Sequence, residues 1–119
     1  MNVEAIENGQ VVVRVSGEVE LPNVGALRDA IDTAASKAPD GFVIDLSDVQ
    51  YIDSAGISAL VFAYRRICPT GGKLAVVVSD KNVRRIVTIT RLETLPGISL
   101  FESADEAKSF LTKELASRQ

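Results

Sequence analysis

The sequence predicts an α/β fold: a mixed, mostly parallel β-sheet flanked by about four helices. Three observations carry that reading. Short apolar runs recur along the chain, at Val11 to Val15, Phe42 to Ile44, Leu74 to Val78 and Ile98 to Phe101. Between them lie segments whose apolar residues repeat at helical spacing. Turn signals such as Pro39-Asp40-Gly41 and Gly71-Gly72 divide the two kinds of segment. Strands that alternate with helices are joined by crossovers, and crossovers make neighbouring strands parallel.

Taken in order, Val11, Val13 and Val15 alternate with Val12, Arg14 and Ser16, as in a strand. Gly9-Gln10 before it suggests a hairpin from a first strand near Val3 to Glu7. That antiparallel pair makes the sheet mixed. Pro22 or Asn23 can open a helix, and Val24, Leu27, Ile31 and Ala34 then share one face. Phe42-Val43-Ile44, ending in Asp45-Leu46, is too short for a helix and suits a strand buried on both faces. A loop is expected from there to a second helix, whose inward residues are Ile57, Leu60, Val61, Tyr64 and Ile67. Pro69 and Gly71-Gly72 end it. After the strand at Leu74, Asp80 can cap a third helix carrying Val83, Ile86 and Val87. After the strand at Ile98, Ser103-Ala104-Asp105-Glu106 has the capping-box pattern. It opens a last helix with Ala107, Phe110, Leu111 and Leu115 inward. The predicted order is β-β-α-β-α-β-α-β-α.

With 119 residues the chain is expected to form a single domain, 1–119, with a core that needs no disulfide or metal. The formal net charge is -3, where a nucleic-acid binder would show a basic stripe. There is no histidine and one cysteine. Cys/His metal sites and a Ser-His-Asp triad are thereby excluded. Cys68 reads as a small apolar residue near a helix end. Met1 to Gln10 has no basic or apolar leader region, and no apolar run approaches a membrane span of roughly 20 residues. The expectation is a soluble, cytoplasmic protein without cofactor or metal, and without nucleic-acid or membrane partners. Neither G-x-S-x-G nor a phosphate-binding loop occurs. Asp45, Asp48 and Asp53 could imitate paired catalytic carboxylates, but strand-end, turn and cap roles suit them better. A receiver-type acidic pair finds only Ser47-Asp48. The chain is not expected to be an enzyme.

The informative stretch runs from Asp45 to Ile57: strand, loop, then a serine at a helix start. Sites in open α/β sheets lie at the carboxyl ends of strands. Asp53 or Ser54 is the natural cap. Gly56 falls in the first turn, where glycine costs up to ~1 kcal/mol relative to alanine. Either something approaches the backbone closely there, or the glycine allows helix–strand packing. Ordinary capping alone would also explain Asp53-Ser54.

The pattern resembles the STAS domain of sulfate transporters and anti-sigma-factor antagonists. The matching residues are Val13-Arg14-Val15-Ser16-Gly17-Glu18-Val19, Val43-Ile44-Asp45-Leu46, Tyr51-Ile52-Asp53-Ser54-Ala55-Gly56-Ile57, Gly71-Gly72-Lys73-Leu74 and Val83-Arg84-Arg85-Ile86. The resemblance spans nearly the whole chain, and Asp-Ser-x-Gly is its most specific part. It implies a transcription regulator of the stress-response and sporulation kind, working by partner switching. Unphosphorylated, it would bind a kinase-type anti-sigma factor and release a sigma factor. Phosphorylation at Ser54 would switch it off, and a metal-dependent serine phosphatase would restore it. Asp53, Ala55, Gly56 and Glu20 would surround the phosphosite, and Ile57, Ser58, Phe62 and Arg65 would meet the partner. The alternative is a STAS binding module in another partner switch, a transport complex or a signalling assembly. Three departures from the family pattern stand out. Ala55 replaces a common second hydroxyl, Glu20 replaces a common Asp, and Arg91 replaces a common Gly at the end of the third helix.

Overall fold

The computed structural model describes residues 2–5 and 9–117. Its elements follow the predicted order. They are β1 (Asn2–Ala5), β2 (Gln10–Val19), α1 (Val24–Ala35), β3 (Gly41–Ile52), α2 (Ser54–Ile67), β4 (Lys73–Val77), α3 (Lys81–Ile89), β5 (Ile98–Phe101) and α4 (Ala104–Ala116). One-turn 3-10 helices follow α2 (Cys68–Thr70) and α3 (Leu92–Thr94). The first strand starts one residue before its predicted place, and Ile6 and Glu7 lie outside the described residues.

The sheet order is β1-β2-β3-β4-β5, antiparallel for the first pair and parallel for the rest. Phe42, Ile44 and Leu46 face a core shared with Leu27 and Ile31 of α1, Leu60 of α2, and Val83 and Val87 of α3. Val12, Val43, Ala75 and Val77 face the other way, onto Ala107 and Leu111 of α4. There the rings of Phe101 and Phe110 sit 5.2 Å apart. The central strands are thus buried on both faces, as continuous apolar runs in parallel sheets are.

The expected loop between Asp45 and the second helix does not exist. β3 runs on to Ile52, and Asp53 alone separates it from α2. Its pairing with β2 slips twice, between Arg14/Ser16 and Gly17/Glu18, each time with one extra residue on β3. Each slip is a β-bulge. The inward residues Leu46, Val49 and Ile52 are therefore three apart, not two. Asp45 is only 3% exposed, and its carboxylate accepts a hydrogen bond from Arg14 Nε at 3.2 Å and one from the Ser47 backbone N–H. That pair stands at the first bulge and ties β2 to β3 where the register changes.

No helix buries every residue that its apolar period marks: Val24 of α1 and Ile86 of α3 are only half-buried, and α2 and α4 differ too. α2 buries Gly56, Ala59, Leu60, Ala63 and Ile67, whereas Ile57, Val61 and Tyr64 are half-buried at the edge. Small residues let the helix lie close to the sheet, so the buried stripe is the alanine one. In α4, Ala107 and Leu111 are buried, while Phe110 and Leu115 are half-buried. Ser103 caps α4 as expected, accepting from the Glu106 N–H. Arg91 sits at φ 60°, the left-handed conformation that glycine takes without strain, and α3 ends there as it would with glycine.

Candidate functional site

The carboxyl end of β3 delivers Asp53 to the start of α2. Asp53 is the cap: its Oδ1 accepts the N–H of Ala55 at 2.9 Å and of Gly56 at 3.1 Å. Its Oδ2 accepts the N–H of Leu21 at 3.1 Å, and its own N–H donates to the Val19 carbonyl. One carboxylate thus joins the helix N-terminus to the loop between β2 and α1.

That loop is held from inside as well. Asn23 does not cap α1 with its side chain. Instead its Oδ1 accepts the Glu20 N–H at 2.9 Å, and its Nδ2 donates to the Glu18 carbonyl at 2.7 Å. Glu20 is brought beside Asp53. Partial desolvation, then the neighbouring Glu18 and Asp53 charges, push the Glu20 carboxyl above its ordinary range. Desolvation pushes Asp53 the same way. The N–H donors of Gly56, Leu21 and Ala55 outweigh it, and the net shift is down.

The signs follow. Asp53, lowered on folding, contributes stability that is complete above the unfolded carboxylate pKa of about 3.9 and is lost as pH falls through its folded value. Glu20, raised on folding, works the other way and loses stability as pH rises through its folded value. Asp53→Asn separates the two. Its amide still accepts from α2 through Oδ1, but Nδ2 cannot accept the Leu21 N–H. Amide exchange at Leu21 is expected to quicken in the variant, and the Asp53 share of the acid loss to vanish. Unchanged exchange at Leu21 would show that the loop is held by Asn23 alone.

Ser54 is the first residue of α2. It is exposed, and its side chain makes no hydrogen bond to the described residues. The cap is therefore Asp53 and not Ser54. Ala55 follows half-buried, leaving no second hydroxyl beside Ser54. Gly56 is buried, and a Cβ there would collide with Ile52 Cγ1 and come within 3.0 Å of Ile52 Cδ1 and Val19 Cγ1. The glycine admits the protein's own core; of the two sequence explanations, helix–strand packing is the one observed.

Two grooves flank the start of α2. One, of about 530 Å³, lies between α2 and α3 and is lined by Ile52, Ile57, Ile86 and Ile89, with Ser54 at its rim. The other, of about 360 Å³, lies between α1 and α2. It brings together Ile57, Ser58, Phe62 and Arg65, and adds Arg28 and Val61. Phe62 is not on an open face as expected: it is half-buried against the core, with the Arg28 guanidinium 4.9 Å above its ring. Sequence reasoning also missed Leu21 and Ile89, each 72% exposed on either side of Ser54. Ile89 had a signal, since it falls off the face marked by Val83 and Val87. Leu21, in a loop, had none.

The three aspartates do not converge. Asp45 is buried with Arg14, Asp48 is exposed on β3, and Asp53 caps α2. Among the described residues, no cluster of His, Cys, Asp or Glu could hold a metal ion, and no helix is long and apolar enough to cross a membrane.

Residues 2–107 match the STAS domain family model. The chain is 32% identical over 89 residues to the anti-sigma-F factor antagonist of Mycobacterium tuberculosis, covering 75% of this chain and 72% of that protein. It is 28% identical over 100 residues to the anti-sigma-B factor antagonist of Bacillus subtilis, covering 83% and 91%. The crystal structure of an anti-sigma factor antagonist from Mycobacterium paratuberculosis has the same fold, with a TM-score of 0.83 and 32% identity over 93% of this chain and 92% of that one. These matches place the chain in the STAS domain family, among the anti-sigma-factor antagonists.

Proposed function

We propose that this protein is an anti-sigma-factor antagonist that binds a kinase-type anti-sigma factor while unphosphorylated and so releases a sigma factor. Phosphorylation of Ser54 by that kinase ends the binding, and a metal-dependent serine phosphatase restores it. The observation that carries this reading is the state of Ser54: exposed, free of hydrogen bonds to the described residues, and held on the first turn of α2 by a cap that uses another side chain.

The same cap explains how a phosphate would act. A helix N-terminus attracts an anion through its unpaired N–H groups. Here Asp53 already occupies those of Ala55 and Gly56. A phosphate on Ser54, carrying about -1.5 to -2 charge, would face outward beside Asp53 and Glu20, with the amides of the next two residues already taken. The fold stays as it is and the contact surface around Ser54 becomes more negative. That surface comprises Ser54, the Ile57, Ser58, Phe62 and Arg65 groove, and the exposed Leu21 and Ile89.

The test is to incubate the protein with the kinase and ATP and map the phosphate by mass spectrometry. Phosphate is expected on Ser54 and absent from Ser54→Ala. Phosphate confined to Ser16, Ser47 or Ser58 would overturn the assignment. Capture of transporter subunits in place of an ATP-binding kinase would make the chain a binding module of another assembly.

A further inference from the structure

The groove between α1 and α2 has a composition unlike the rest of the site. Around Ser54 the charged groups are acidic: Glu18, Glu20 and Asp53. In this groove they are basic, from Arg28 and Arg65, over an apolar floor of Ile57, Val61 and Phe62. Neither arginine forms an ion pair with a described residue. The contrast with their neighbours is direct. Arg66, next in the chain, pairs with Asp32 at 2.9 Å. Asp32 is also the residue one turn beyond Arg28, where an i,i+4 carboxylate would otherwise neutralise Arg28. Asp29 follows Arg28 in sequence but projects about 100° further round the helix. The fold therefore leaves two guanidinium groups uncompensated in a chain whose formal net charge is -3.

Arg28 is also positioned. Arg28 lies over the Phe62 ring at 4.9 Å. That contact holds the guanidinium over the ring and leaves N–H groups free to donate to a carboxylate. Phe62 in turn is fixed by its inner edge against the core. A groove of about 360 Å³ admits one or two bulky side chains, not a helix laid lengthwise.

We infer that the α1/α2 groove is a docking site for an acidic–apolar segment of the protein partner, in which carboxylates bracket a Leu or Phe side chain. The apolar side chain fills the floor beside Phe62, and the carboxylates pair with Arg28 and Arg65. This rests on the reading that the chain binds a protein partner and specifies the chemistry of one of its contacts. The two arginines stand apart from Ser54, since neither lines the groove at whose rim it lies, while Ile57 and Ser58 line both grooves and join the docking site to the gate. The site then supplies affinity and partner choice, while Ser54 supplies the gate.

The test is an amide-shift titration of the whole protein with the peptide Asp-Glu-Leu-Phe-Asp-Glu, its Lys-Lys-Leu-Phe-Lys-Lys counterpart, and ATP. The acidic peptide is expected to shift Arg28, Ser58, Phe62 and Arg65 and to bind about tenfold or more tightly than the lysine peptide, weakening as salt is raised. Arg65→Glu, at an exposed position without an ion pair to lose, should abolish that preference without altering the melting curve. Arg28→Glu should also abolish the preference, and in addition removes the contact over Phe62. Equal binding of the two peptides, shifts centred elsewhere, or displacement by ATP in place of the acidic peptide would each overturn the proposal. A kinase that binds and is gated by Ser54 while the peptides show no preference would remove the groove alone. A peptide preference with no kinase binding would remove the antagonist role and keep the groove.

Discussion

Ser54→Asp is expected to bind the kinase-type anti-sigma factor roughly tenfold or more weakly than the parent, a loss of about 1.4 kcal/mol, whereas Ser54→Ala keeps full binding. The aspartate adds a carboxylate at the rim of the α2/α3 groove, beside Asp53 and near Glu20. An interface that closes over it must desolvate that charge without a partner for it. The mimic has about half the charge of phosphate and fewer oxygens, so the loss is partial and phosphorylated protein should bind more weakly still. Ser54→Ala removes the acceptor hydroxyl and nothing else. Ser54 is not the cap and makes no hydrogen bond to the described residues, so the variant should melt with the parent. Titration of each variant against the isolated kinase, with ADP or ATP present, measures the effect. Equal affinities for Ala and Asp would mean that charge at this position does not gate the interaction.

Gly56→Ala should destabilise the protein by about 1–2 kcal/mol. The direction comes from a competition. Alanine in a helix gains up to ~1 kcal/mol over glycine, but overpacking a core costs about 1–3 kcal/mol. Here the added methyl would overlap Ile52 Cγ1 and press on Val19. Both side chains are buried, at 1% and 0% exposure, and have nowhere to go. At ~4 °C per kcal/mol, the melting midpoint should fall by ~4–8 °C. Ile52→Val together with Gly56→Ala should recover part of the loss, because the shorter side chain gives up the methyl that lies 3.0 Å from the new Cβ. A Gly56→Ala protein that melts unchanged yet fails to bind its partner would mean that the glycine serves the partner's approach instead of the core.

The element order, the parallel sheet and the serine at the start of α2 were all legible in the chain. Each is a local signal: an apolar run, a helical period, a turn, or a cap motif read over a few residues. Asp80 and Ser103 took the cap positions their local patterns indicated, because capping needs only a side-chain oxygen within three residues of the N–H groups it accepts.

What stayed hidden were features that exist only between segments. The second half of β3 was read as a loop because two bulges stretch its inward period to three, and a bulge is defined by the partner strand. The buried stripe of α2 was assigned to its larger residues, yet Ala59 and Ala63 face the sheet because close approach favours small side chains. Asn23, one of the two helix openings the sequence offered, does stand at the N-cap position of α1, but its side chain braces the preceding loop and not the helix. Asp53 was legible as a cap, but not as the group that also holds Leu21 from 32 residues away. The groove pairing Arg28 with Phe62 and Arg65 joins two helices that no sequence period connects. Local pattern thus settled which elements form and which hydroxyl is displayed. Packing between distant segments settled what surrounds that hydroxyl, because contacts of that kind are made by side chains whose separation is set by the sheet and not by the chain.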